Sequence, residues 1–234
     1  MAGPSSRGFA EKVALVTNGA NGLGRAISIQ LALDGAYVIV HHAPDEPGAA
    51  GVVAELQALG TLALGVEGDV STSGGVAEIF AFVENAYGRL DLLVNVSQVD
   101  DRWPSASYIE GSWDHQVSLG LKSAFLCSGA AVTLMKGRPS AAILNVVRNV
   151  TRSQDWHEVT TAAIAGAISA MTRSLSEQLK PSIRVNCVEV CGGAGAQPGD
   201  ESTKIFSNDE IARTCVFLLS SGSRSINGHT IRVD

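Results

Sequence analysis

The chain has 234 residues, 45% of them apolar, and a formal net charge of -6 with no basic block. That suits one large domain or two small ones with a sizeable core, and it argues against a nucleic-acid surface. The first ten residues lack an apolar core and no apolar run approaches the roughly 20 residues of a membrane span, so neither a signal peptide nor a membrane segment is expected and the setting reads as cytoplasmic.

Residues 1–10 read as a flexible tail and 11–234 as a single domain. VALVTN at 13–18 is a short apolar strand, followed by GANGLG and a helical pattern that runs to Gly35. AYVIVHH at 36–42 is a second strand, PDEPG a turn, and AAGVVAELQALG a helix ending at a glycine. TLALGVEGDV holds a third strand, 76–87 an amphipathic helix, and 90–96 a fourth strand. Residues 112–135 read as one long helix, 141–147 as a fifth strand, 160–179 as a helix and 182–190 as a sixth strand. A polar loop, the helix DEIARTCVFLLS and a final strand at 229–234 complete the pattern. Strands alternate with helices, and most strands are apolar without alternation. That predicts an α/β fold, a doubly wound, mostly parallel seven-stranded sheet with helices on both faces.

A glycine-rich hexapeptide between a strand and a helix is the context in which such a turn binds a dinucleotide. Gly19 suits the tight turn, while Gly22 and Gly24 let backbone approach a diphosphate and pack the helix against the sheet. Orphan N–H groups at the helix start, around Asn21, Gly22 and Leu23, supply an anion site. Where an NAD-binding fold commonly places an acid, at the end of the second strand, this chain has His41 and His42, and Arg25 follows the last glycine. A 2′-phosphate therefore meets no carboxylate and has Arg25 as a candidate partner, so NADP is favoured over NAD. Arg25 also reads as simply solvated. Asp69 and Val70 end the third strand, where Asp69 reads either as an adenine contact or as a cap on its own turn.

TNGANGLG, GDVS, LDLLVNV, WDHQVSLGLKSAF, AAILNVV, TRSLSEQL, IRVNCV and SINGHTIRVD together resemble the short-chain dehydrogenase/reductase family, and within it 3-oxoacyl-carrier-protein reductase. The resemblance runs from about Lys12 to Asp234 and implies a Rossmann fold, a nicotinamide cofactor and hydride exchange with a carbonyl carbon. It also implies a tetrad of tyrosine, lysine, serine and asparagine. Their positions here hold Thr161, Ala165, Arg148 and Gly120. A threonine hydroxyl does not ionise near neutral pH, alanine carries no cation, and arginine cannot act as a base. The family's NNAG turn reads Asn95-Val96-Ser97-Gln98, and its proline-glycine turn reads Val190-Cys191. Residues 196–208 make a lid far shorter than the family's.

These departures lead to the expectation of a catalytically degenerate, structural or regulatory subunit, not an ordinary NAD(P)-dependent dehydrogenase. It would bind NADP weakly or not at all, through Gly19, Asn21, Gly22, Leu23, Gly24, Arg25, His42, Asp69, Val70 and Asn95. An NADP(H)-dependent oxidoreductase with a non-standard site is the alternative, with His157 and Arg148 as substitute groups; a non-redox lyase or isomerase in the remodelled cleft is another. The four cysteines show only one weak CxxxC spacing, so reduced thiols and no metal site are expected. A homo-oligomer, or a hetero-oligomer with an active relative, is expected through the helices at 112–135 and 160–179. Val117, Leu121, Phe125, Ile164, Ile168 and Met171 recur there at helical spacing, some of them facing the sheet and the rest a partner, while Trp103 and Trp113 read either as interface anchors or as core.

Overall fold

A computed structural model describes residues 8–44, 46, 48–97, 109–149, 156–191 and 206–233, with 156–158 described as backbone only. Seven strands form one sheet: β1 (Val13–Val16), β2 (Tyr37–His42), β3 (Ala63–Glu67), β4 (Leu92–Val96), β5 (Ala141–Asn149), β6 (Ile183–Cys191) and β7 (Thr230–Val233). Their order is β3-β2-β1-β4-β5-β6-β7, and every pairing is parallel. Both faces of such a sheet must be covered, which is why its strands are apolar on both sides. Leu15, Ile39 and Leu93 are fully buried, each stabilising the fold by about 1.5–3 kcal/mol.

One face carries α1 (Gly22–Leu33), α2 (Ala50–Ala58) and α7 (Asn208–Leu219). Opposite lie α3 (Ser73–Tyr87), α4 (Glu110–Val117), α5 (Ser123–Met135) and α6 (Trp156–Leu179). The predicted Rossmann-type fold, doubly wound with helices on both faces, is what the structure shows.

Three expectations need correction. The long helix read at 112–135 is broken by a π-helical turn, Ser118–Lys122, in which the Ser123 hydroxyl donates to the Leu119 carbonyl at 2.5 Å. Residues Glu110–Met135 are also long and apolar enough, by length and composition, to cross a membrane, contrary to the reading that no run approaches that length. Here their apolar side is used within the fold: Ala124, Cys127, Ala131 and Met135 are buried against the sheet. Finally, most of the apolar stripe assigned to assembly packs internally. Val117, Leu121 and Met171 close over Ile164 and Ile168, and Phe125 alone of the six is exposed, at 60%.

Between β6 and α7 a single side chain does much of the joining. The Arg184 guanidinium donates to the carbonyls of Leu218, Leu219, Ser220, Ser223 and Ile226, at 2.9–3.2 Å. The last carbonyls of α7 have no intrahelical donors, so an arginine fork from the neighbouring strand satisfies them.

Candidate cofactor cleft

The sheet order reverses between β1 and β4, and in open α/β sheets ligands bind outside the carboxyl ends of the strands at such a switch point. A cavity of about 210 Å³ lies there. Its walls come from Asn18 after β1, Asn21, Gly22, Leu23 and Gly24 at the start of α1, Glu46 after β2, Val96 and Ser97 from β4, and Val146 and Arg148 from β5.

Backbone geometry sets the turn. Gly22 has φ +49° with open space where a side chain would be, which glycine adopts at no steric cost. Gly24 is pressed onto the chain before it: a Cβ there would lie 2.0 Å from the Asn18 carbonyl oxygen. Asn21 starts α1 without a side-chain cap, and the first turn has no acidic residue. The orphan N–H groups and the positive end of the helix dipole are therefore left for a ligand. By contrast α3 is capped by Thr72, and α7 by a reciprocal Ser207–Glu210 box.

His41 holds the turn from below. It is fully buried; its Nδ1 accepts from the Asn18 N–H at 3.1 Å, and its Nε2 donates to the Gly68 carbonyl at 2.9 Å. That pair of partners fixes a neutral ring with the proton on Nε2. Burial pushes its pKa down to about 4, against a smaller opposing effect of the Gly68 carbonyl. Asn18 sits at φ 50°, its Nδ2 donating to the Val96 carbonyl at 2.6 Å, while its Oδ1 is buried with no partner among the described residues. The sequence shows two histidines at a strand end, but not that one is a strut spanning β1 and β3.

The predicted cofactor residues divide. Asn21, Gly22, Leu23 and Gly24 line the cavity, and Gly19 makes its turn by donating to the His41 carbonyl at 2.9 Å. Arg25 is held in a two-pronged pair with Glu55, at 2.6 and 2.8 Å, away from the role of a free 2′-phosphate ligand. Asp69 caps its own turn, accepting from the Ser71 N–H and hydroxyl at 2.8 and 2.6 Å. His42 donates to the Ala43 carbonyl, and Val70 is buried in the core beneath α3. The Asn95 side chain points away from the cleft, donating to Ser128 at 3.1 Å and to Asn145 at 2.9 Å; Asn145 in turn donates to Thr172. Sequence reading missed Asn18, Glu46, Val96, Ser97 and Val146 as cavity walls. Asn18, one residue ahead of Gly19, and Val96 and Ser97, in the turn that matches the family's NNAG, carried a local signal.

Of the four positions taken to have lost the family's catalytic groups, Arg148 reaches the cavity. Thr161 and Ala165 are buried, Ala165 among Val147, Ile164, Ile168 and Cys187. Gly120 lies in the π-helical turn, and a Cβ there would come within 2.9 Å of Ile164 and 3.2 Å of Ser97. The His157 side chain, Gln98, Trp103 and the lid at 196–205 lie outside the described residues. Among the described residues no group of three His, Cys, Asp or Glu side chains could hold a metal ion.

Residues 12–199 match the family model for short chain dehydrogenase. The chain belongs to the short-chain dehydrogenase family. It is 33% identical to a 1,6-dihydroxycyclohexa-2,4-diene-1-carboxylate dehydrogenase of Acinetobacter baylyi, over 98% of this chain and 97% of that one. With a 3-oxoacyl-acyl-carrier-protein reductase of Staphylococcus aureus it shares 30% identity, over 95% and 96%. A short chain dehydrogenase of Burkholderia cenocepacia, solved in complex with NADP, superposes with a TM-score of 0.86 at 28% identity, over 97% of this chain and 98% of that one.

These relatives overturn the expectation of a degenerate, non-catalytic subunit with weak or absent cofactor binding. The chain matches named dehydrogenases and reductases along nearly its whole length, and one structural neighbour holds NADP. The physical reason the expectation failed is that it gave too much weight to four side chains. The cleft rests on backbone geometry at Gly22 and Gly24 and on an uncapped helix start, none of which those side chains supply.

Proposed function

We propose that the protein is an NADP(H)-dependent oxidoreductase that interconverts a carbonyl and an alcohol through a non-standard active site. The observation that carries this is the glycine turn itself: uncapped, open at Gly22, and facing a cavity at the switch point. The residues fit the cofactor. Backbone N–H groups at the start of α1 take the diphosphate. The cavity is smaller than the roughly 300–1,000 Å³ of a drug-sized site, so it takes the diphosphate end, and the rest of the dinucleotide extends along the strand ends. NADP is favoured over NAD because His42, not an acid, ends β2.

Bound there, NADPH supplies the hydride of a carbonyl reduction. The chain must still exchange a proton with the substrate oxygen. Gly120, Arg148, Thr161 and Ala165 stand where the family's tetrad stands, and none is an acid/base near neutral pH. His157, in the first turn of α6, takes that role in this reading, since imidazole is matched to neutral pH. We place the enzyme in the cytoplasm as one domain, residues 11–234, that self-associates through α4, α5 and α6, where Trp113, Phe125 and Val159 are exposed. Calorimetry with NADP and NAD, followed by NADPH oxidation with a panel of ketones and acyl thioesters, tests the reading. We expect NADP to bind more tightly than NAD and some substrate to turn over at about 1 s⁻¹ or faster. Failure of both cofactors to bind overturns it.

A further inference from the structure

We propose that Arg148 is the cation that clamps the cofactor diphosphate, replacing from β5 the positive charge that Ala165 does not provide from α6. This rests on the reading that NADP binds in the cleft. Two anion-seeking elements of independent origin converge on one cavity. The first is the uncapped start of α1, with Gly22 open at positive φ. The second is Arg148, two residues beyond Val146 on β5 and therefore on the same face of the sheet; both side chains line the cavity with Gly22 and Gly24.

The charge of Arg148 is available. It is half-buried and has no hydrogen-bond or ion-pair partner among the described residues. Arg25, the other cation near the turn, is committed to Glu55. A guanidinium presents paired N–H groups that match two phosphate oxygens, which a point charge on a lysine does not. The same geometry separates this role from that of the family's serine, whose position Arg148 holds: Arg148 lines the cavity with the glycine turn, while Thr161 is buried and is not among the lining residues.

The test is calorimetry of wild type, Arg148→Gln, Arg148→Ala and Arg148→Lys against NADP, ADP and adenosine. ADP keeps the diphosphate and adenosine lacks it. We expect Arg148→Gln and Arg148→Ala to weaken NADP and ADP alike by about ten- to hundredfold, with adenosine unchanged and Arg148→Lys recovering part of the loss. Circular dichroism and melting of the variants should match wild type, because no partner among the described residues is lost. NADP and ADP binding unchanged in Arg148→Gln overturns the proposal. So does a loss confined to NADP, which would put Arg148 at the nicotinamide or substrate end. If wild type itself binds neither NADP nor ADP, the oxidoreductase reading falls, and this proposal with it.

Discussion

The two halves of the sheet do their work with different atoms. From β1 through α1 to β2, the site consists mainly of backbone: glycine φ angles, N–H groups at a helix start, and a carbonyl pressed against Gly24. In the other half, the site expected from family resemblance would consist of side chains; of its four positions Thr161 and Ala165 are filled with core, Gly120 has no side chain, and Arg148 reaches the cavity. Ala165 packs against Val147 and Cys187, and Ile164 closes onto Gly120. A binding function written in backbone tolerates drift in side chains far from it. A proton-transfer function written in four side chains does not, and it must be rebuilt from other groups.

The sharpest way to break this comparison is to add side chain where the backbone half has none. Gly24→Val would put a Cβ 2.0 Å from the Asn18 carbonyl oxygen, a backbone atom that cannot yield without moving the turn. We expect a loss of about 3 kcal/mol or more in chemical denaturation and no measurable NADP binding. Gly22→Ala is the control: nothing crowds its Cβ, but φ +49° costs a non-glycine residue about 1 kcal/mol. Equal stability of the two variants would refute a turn built on close approach.

The second prediction concerns the strut beneath that turn. His41 has its pKa lowered from 6.5 to about 4 in the folded protein. Between those values the unfolded chain binds more protons than the native state, so stability rises with pH. As pH falls from about 6.5 to about 4, the protein should lose up to about 3 kcal/mol. The contribution is fully present above the unfolded pKa and lost below the folded one. His41→Gln cannot take up a proton and should flatten this part of the stability curve, measured by urea denaturation at several pH values. An identical pH dependence in the variant would show that the acid sensitivity arises elsewhere.

What could be read in the sequence follows the same division. The sheet, its helices and the glycine turn were legible because each is written in consecutive residues, as apolar runs and glycine spacing. Contacts between distant residues were not. Arg25 finds Glu55 thirty residues away, and His41 reaches the Gly68 carbonyl twenty-seven residues on. Asn95 reads as a cleft residue from its place at the end of β4, yet its side chain turns toward Ser128 on α5. The break at Ser118–Lys122 was also hidden, because a π-helical turn keeps the helical pattern of apolar residues while adding one residue to the turn.

The last prediction sharpens the side-chain half, and its effect is the smallest. If the cleft floor has been repacked, restoring the family's asparagine at position 120 meets resistance from one neighbour. A Cβ on Gly120 lies 2.9 Å from Ile164 Cγ2 and 3.3 Å from its Cδ1, closer than packed carbons tolerate. Gly120→Asn alone should cost about 1–2 kcal/mol through this overpacking. Ile164→Ala carries its own cavity cost, but in the double variant the asparagine fits into the space released. The readout is therefore the coupling: the two costs should fall short of additivity by about 1 kcal/mol in denaturant titrations of the full cycle. Additive costs would mean that Ile164 is not what excludes a side chain at position 120. Ser97 Oγ, at 3.2 Å on the cavity side, would then be the next contact to remove.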